Sequence, residues 1–335
     1  MEEKDLLTNK KQDVKIQALA YSALIFVVFI WGAGPLMSVY LYRYYTATIY
    51  TALTSLISAI SLLLISLSHL KKLNRDYFKV AVPTGIFYSI ASLLQKIGLQ
   101  YTTPTQYAFL ENLSCVVVPV LLFFFIKKKP SILTIFAAFL CLLGSFILSG
   151  LDFANNSISF GKGEILCALA GIFYGVNIAG TGAHAKKFYA PLYVMIQMWI
   201  HTTISFPTAF LLNVITIDGV PIEQICFSWD IKPFLGIVAL ALISSTLCWL
   251  IRTNVMKYID ASVVAMIMPF SAVISGVLSV LFGLDTLSLN LILGAGIGFA
   301  AAVLSSLADI LEKRKKISEE KTLSDVVENK NIDEE

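Results

Sequence analysis

Charge is what this sequence has least of. Asp, Glu, Lys and Arg make up only 14% of its 335 residues, where soluble domains carry about 25%. A chain so poor in charge cannot be solvated mainly by water, which excludes an ordinary soluble enzyme or signalling domain. Cysteine is also sparse. There are five, an odd number, with no CxxC pair, so neither a disulfide framework nor a metal site is expected, and buried cysteine usually acts as a small hydrophobe. The chain holds no glycine-rich phosphate loop, nucleotide fingerprint, His/Cys cluster or nucleophile elbow. ATP-driven pumping, bound cofactors or metals, and an intramembrane enzyme therefore have no visible residues to carry them. The net charge of +3 is spread along the chain and gathers no patch for nucleic acid. The start carries Glu2, Glu3 and Asp5, and the apolar segment that follows is long and lacks a small-residue cleavage pattern. A cleaved signal peptide is not expected, and the first segment should stay in the membrane.

Apolar residues are abundant: 57% of the chain, with a mean hydropathy of +0.78. A bilayer-spanning helix needs roughly 20 of them in a row. Ten such segments can be drawn, at about 17–40, 46–67, 80–100, 103–126, 131–150, 162–185, 190–213, 233–256, 260–282 and 288–311. The connections are short and leave no room for a separate soluble domain. Positive residues alternate between them. Lys4, Lys10, Lys11 and Lys15 precede the first segment; Lys71, Lys72, Arg75 and Lys79 flank the second connection, Lys127 to Lys129 the fourth, Lys186 and Lys187 the sixth, and Lys313 to Lys316 follow the tenth. The other connections carry Arg43, Lys162 and Lys232, beside Asp152, Asp218, Glu223, Asp230 and Asp285. Positive charge stays on the cytoplasmic side, so both termini are expected there.

The fourth segment has an echo. Gly98–Phe125 aligns without a gap on Val255–Phe282, 157 positions later, with Tyr101 on Tyr258, Ala108 on Ala265, Ser114 on Ser271 and Phe125 on Phe282. The start of each half agrees at an offset of 143, where Trp31-Gly32 falls on Tyr174-Gly175. Five segments per half place the two copies in opposite orientations. The expected fold is all-α and membrane-integral: ten transmembrane helices as two inverted five-helix repeats, 17–150 and 151–311, between a tail at 1–16 and a disordered, acidic one at 312–335. Inverted repeats imply alternating access around a shared central site.

Two small-residue pairs, Gly171 with Gly175 and Gly294 with Gly298, would let helix backbones approach closely, by default within one subunit. Pro35, Pro119, Pro207 and Pro269 each remove a backbone hydrogen bond inside a segment and favour a kink. Pro119 and Pro269 lie in the echoing segments, seven residues apart in repeat register.

Glu111 leads the candidates for chemistry. Pro104 marks the outer end of its helix, and seven residues at about 1.5 Å each set it roughly 10 Å deep. A charge there costs about 2.5–3.5 kcal/mol on insertion scales, so it should face a cavity or a partner. On a helix, Tyr107, Ser114 and Cys115 would share its face. Glu111 could hold a substrate cation or exchange a proton; the competing reading is a structural bond to a neighbour, with Lys96 or Arg252 as charge partner. Both of those lie near helix ends, where a long side chain can snorkel to the interface instead. His201 is a second candidate for proton relay or ligand binding, against a neutral histidine satisfied by another helix. Asn177 is a similar case. Trp31, Tyr174, Tyr107 and Trp249 could form an aromatic surround for an ammonium group, against random placement in an aromatic-rich membrane chain. Pro269 completes the expected substrate-binding set.

The residues Trp31-Gly32, Leu99-Gln100-Tyr101-Thr102, Tyr107-Ala108-Phe109-Leu110 with Val118-Pro119-Val120, Tyr258 through Ser271, and Gly283-Leu284-Asp285 resemble the drug/metabolite transporter superfamily, EamA-like type. The likeness covers about residues 17–311. It implies a ten-helix transporter of the cytoplasmic (inner) membrane, monomeric or homodimeric. Where the family commonly has Glu-Pro in each repeat's fourth helix, this chain has Ser114-Cys115 and Ser271-Ala272, and Glu111 stands where a bacterial branch has a small or neutral residue. The family's coupling residues cannot be carried over there. The expected function is secondary transport of a small organic solute, an amino acid, amine or related nitrogenous compound, with proton coupling through Glu111 or His201 as one option. Efflux of toxic organic cations and a ligand-binding membrane receptor are the alternatives.

Overall fold

The computed structural model describes residues 2–127, 129–152, 157–158, 161–217, 220–301, 303–304, 307–308 and 311. The acidic tail and the basic run Lys313 to Lys316 lie outside these residues. The chain is helical: α1 Glu2–Leu41, α2 Ala47–Ser66, α3 Arg75–Gly98, α4 Pro104–Glu111, α5 Ser114–Ile126, α6 Ile132–Gly150, α7 Lys162–His184, α8 Ala190–Val214, α9 Ile231–Leu240, α10 Trp249–Val255, α11 Ala261–Ile267, α12 Phe270–Leu281 and α13 Leu289–Ala301. Two antiparallel pairings of two residues each are the strands among the described residues. Seven stretches are long and apolar enough to cross a membrane: Lys15–Leu41, Ala47–Lys72, Arg75–Tyr101, Pro104–Phe125, Lys162–His184, Ile231–Val255 and Ala261–Leu281. Helices suit that setting because every backbone polar group is satisfied within the segment.

Local chemistry sets several starts. Asn74 accepts from the amides of Asp76 and Tyr77 at the head of α3, an N-cap. Thr103 and Gln106 form a reciprocal capping box at α4, with Pro104 in the first turn, where its missing N–H costs nothing.

The connections gather at two ends. At one, Tyr45 bridges Phe227, Glu223 accepts from Thr48 and Gln100, and Thr102 donates to Glu164 at 2.6 Å. At the other, the Tyr189 amide donates to the Tyr77 hydroxyl at 3.0 Å, His69 stacks on Tyr189, and Lys187 lies 3.4 Å from Asp76.

Positions that correspond in the sequence make corresponding contacts. A Cβ on Gly32 of α1 would lie 2.7 Å from the Ser271 carbonyl and 2.7 Å from the Ile274 Cβ of α12; one on Gly175 of α7 would lie 2.6 Å from the Val117 Cβ and 3.4 Å from the Ser114 Cα of α5. Glycine is required at Gly32 because a backbone oxygen occupies the space a side chain would need. The Ser38 hydroxyl donates to Tyr50 at 3.1 Å, and Thr181 and Tyr193, each 143 positions on, share a 3.2 Å hydrogen bond. Both small-residue pairs pack within the chain, Gly171 against the carbonyls of Leu110 and Glu111, and Gly294 and Gly298 against Gly144.

Pro35, Pro119 and Pro207 sit inside uninterrupted helices. The echoing helices break within one residue of the same register: between α4 and α5 at Asn112-Leu113, and between α11 and α12 at Met268-Pro269. Pro269 accounts for the second break. In the first, the amides of Asn112 and Leu113 turn to carbonyls three residues back, at 3.0 and 3.2 Å, and Gly171 packs against the turn. A further irregularity was not legible beforehand. Between α9 and α10 the chain runs as a π-helix, Ala241–Cys248. There the carbonyls of Ser244 and Ser245 accept from Trp31 (3.2 Å) and Ser58 (3.1 Å) of other helices, and such lateral donors disturb the i→i−4 ladder.

Candidate functional site

A cavity of about 90 Å³ lies among α1, α2, α3, α4, α7, α8 and the π-helical segment with the adjoining ends of α9 and α10. It is lined by the C-terminal halves of α1 and α3, the N-terminal half of α2 and the short helix α4, so it belongs to the end of the bundle that holds the 42–46 and 99–103 connections. Pockets of this kind, mixed aromatic and polar with few charges, are where small solutes bind.

Seven expected residues line it: Trp31, Lys96, Tyr107, Glu111, Tyr174, His201 and Trp249. Glu111 is the one carboxylate in that wall. It ends α4, at the helix break, and accepts a 2.6 Å hydrogen bond from the Gln95 amide. Gln95 accepts in turn from the Tyr174 hydroxyl at 2.8 Å. Lys96 donates to the Tyr107 hydroxyl at 2.6 Å and lies 5.1 Å over its ring. The two expected charge partners thus do not pair with Glu111. Lys96 goes to Tyr107, and Arg252 goes to Asn177 at 2.8 Å.

The rings form one wall. Trp31 and Trp249 have centroids 5.4 Å apart, Tyr88 lies 4.4 Å from Trp249, and His201 meets Tyr88 edge-on at 4.7 Å. His201 is buried and shares a 3.2 Å bond with Ser205.

Asn177, Ser114, Pro269 and Arg252 do not line the cavity. Asn177 is fully buried behind it, donating to the Thr84 carbonyl at 3.0 Å. Ser114 fails for a geometric reason: the three-residue spacing rule holds within one helix, and the helix ends at Glu111. Past the break, Ser114 packs beside Gly175. Pro269 is buried at the other break.

Sequence reasoning missed Gln95 as the partner of Glu111, and missed Tyr50, Tyr88 and the hydroxyls of Thr51, Thr54 and Ser55 on the wall. The hydroxyls had a signal, a helical-period polar stripe in an apolar segment. Each bonds a backbone carbonyl of its own helix, at 2.7 to 2.9 Å, so α2 can present them to a cavity at little cost. Among the described residues no group of three His, Cys, Asp or Glu side chains could hold a metal ion, and all five cysteines are unpaired.

Fold and site together define a polytopic helical membrane protein with a small polar-aromatic cavity. The model of the EamA-like transporter family matches residues 18–150 and 161–307. The chain belongs to that family, a group of drug/metabolite-type membrane transporters. A solved structure described as "Crystal structure of protein" is similar in fold, with a TM-score of 0.65 and 16% identity, over 88% of this chain and 99% of that one. No curated protein matches.

Proposed function

We propose that this protein is a secondary transporter of a small nitrogenous organic solute, working by alternating access of two inverted five-helix repeats, 17–150 and 151–311. The observation that carries the reading is Glu111: a single carboxylate on the wall of a small aromatic cavity, hydrogen-bonded to a neutral amide and not to a cation. It is thus free to meet a cationic group of a solute, with Trp31, Tyr107, Tyr174 and Trp249 around it. A desolvated ammonium–aromatic contact adds about 2 kcal/mol.

The matched packing of Gly32 and Gly175, and of Ser38–Tyr50 and Thr181–Tyr193, supports the repeat arrangement. Lys71, Lys72, Lys186 and Lys187 cluster at the end away from the cavity, which supports ten crossings with that end and both termini cytoplasmic. In that orientation the cavity lies in the outer half, while Asp76–Lys187 and Tyr77–Tyr189 tie the inner end. Proton coupling through Glu111, with His201 on the same wall as a further candidate for proton exchange, fits the same geometry.

Efflux of purely cationic solutes draws support from the aromatic wall, but Lys96 in the same cavity opposes it, since like charge disfavours a cation with no anionic group. The test is solute flux into proteoliposomes for amines, amino acids and nucleobases at two pH values, with wild type and Glu111→Gln. Flux of one nitrogenous class, reduced at least tenfold in the variant, is the expected result. Ligand-induced stabilisation without any flux would instead make this a receptor.

A further inference from the structure

Arg252 sits where a buried cation should not sit alone. Its residue is 2% exposed. Its Nη2 donates to Asn177, and its guanidinium carbon lies 3.7 Å from the Trp249 ring centroid and 5.8 Å from that of Trp31. Its Nε is buried with no hydrogen-bond partner, and among the described residues no carboxylate lies within ion-pair distance of it. Arginine is almost never fully buried unless paired, and a buried charge is tolerated through a partner of opposite sign. Its contacts are one neutral amide and two rings, with the Glu111 carboxylate acting on it only from beyond ion-pair distance, and both rings also form the cavity wall.

The geometry points to Arg252, with Asn177, as a carboxylate subsite of the transport path, one that a solute's anionic group occupies when the Trp31–Trp249 pair moves aside. A guanidinium presents its donors in a planar fork that matches a carboxylate, and the unpartnered Nε is one tine of that fork. Lys96 gives the outer cavity a first cation for the same group. This rests on the transporter reading and narrows it to solutes that carry both an amino group and a carboxylate. The position supports a handover, because Arg252 occupies in the second half the register of Gln95, which binds Glu111 in the first.

The test uses full-length protein in proteoliposomes and matched labelled pairs, each an amino acid and its decarboxylated amine. The expected result is a wild-type preference for the amino acid that falls at least tenfold, as a ratio of initial rates, in Arg252→Gln, and falls less in Arg252→Lys. Asn177→Asp gives the second arm, since it supplies the missing carboxylate from within. It should raise the melting temperature while lowering the amino acid:amine ratio by a similar factor, because the internal anion competes with the solute. An unchanged ratio in a folded Arg252→Gln, or in Asn177→Asp, overturns the subsite and leaves Arg252 a structural charge. Wild-type flux of amines with no preference for the amino acids overturns the subsite while the transporter reading stands. Wild-type protein that moves neither member of any pair overturns the subsite, and the transporter reading with it when nucleobases are not moved either.

Discussion

The side-chain amide of Gln95 donates a 2.6 Å hydrogen bond to the carboxylate of Glu111, joining the last turn of α3 to the helix break after α4. Because the amide oxygen also accepts from Tyr174, one residue fixes an acid from the first half and a hydroxyl from the second. Replacing Gln95 by Leu should leave both without this partner. A buried polar group left unsatisfied costs about 1–3 kcal/mol, so the melting temperature of purified protein should drop and solute affinity with it. Wild-type stability and affinity in Gln95→Leu would show that the link is incidental.

Lys96 reaches into the cavity with Tyr107 as its hydrogen-bond partner. Lys96→Met keeps the apolar stem and removes the charge. The expected outcome in competition uptake is a tenfold weaker apparent affinity for carboxylate-bearing solutes, about 1.4 kcal/mol, with amines favoured in proportion. Equal weakening for both classes would point to a packing defect.

Gly32 and Gly175 face equivalent neighbours but different obstacles. Alanine at either should destabilise by about 1–3 kcal/mol through overpacking. At Gly175 the obstacles are side-chain atoms, the Val117 Cβ and Cγ1 at 2.6 and 2.7 Å, so Val117→Gly, which removes both, should recover part of the loss. At Gly32 the Ser271 carbonyl stays 2.7 Å from the new Cβ even when the Ile274 side chain is removed, so Ile274→Gly should restore little. Full rescue at both positions in thermal unfolding would contradict this distinction.

Cys226 is exposed in the connection after α8, while Cys115, Cys141, Cys167 and Cys248 are buried. A membrane-impermeant maleimide should therefore label intact cells at Cys226, and Cys226→Ser should abolish the signal. Labelling that appears only after permeabilisation would reverse the proposed orientation.

How much was legible beforehand depended on the range of the interaction. Glu111, Trp31, Tyr174 and Trp249 were identifiable as unusual side chains at a given depth, which helix rise alone sets. The match of Trp31-Gly32 to Tyr174-Gly175 marked the positions whose packing proved equivalent. Ser114 was misplaced because its assignment extended helical spacing through a turn that no proline announces. The π-helix at Ala241–Cys248 was invisible because its causes, Trp31 and Ser58, are donors from helices far away in the chain.

The sequence by itself determined that this is a helical membrane chain built from two related halves, because lipid imposes its demands locally, on runs of about 20 residues and on the charges at their ends. Only the tertiary structure decided which polar groups meet. Whether Glu111 faces Gln95, Lys96 or Arg252 depends on how α3, α4, α7 and α10 cross, and several partners were chemically acceptable to each. The packing of Gly171 against the α4–α5 turn, and of the tryptophans over Arg252, selected one arrangement from among them.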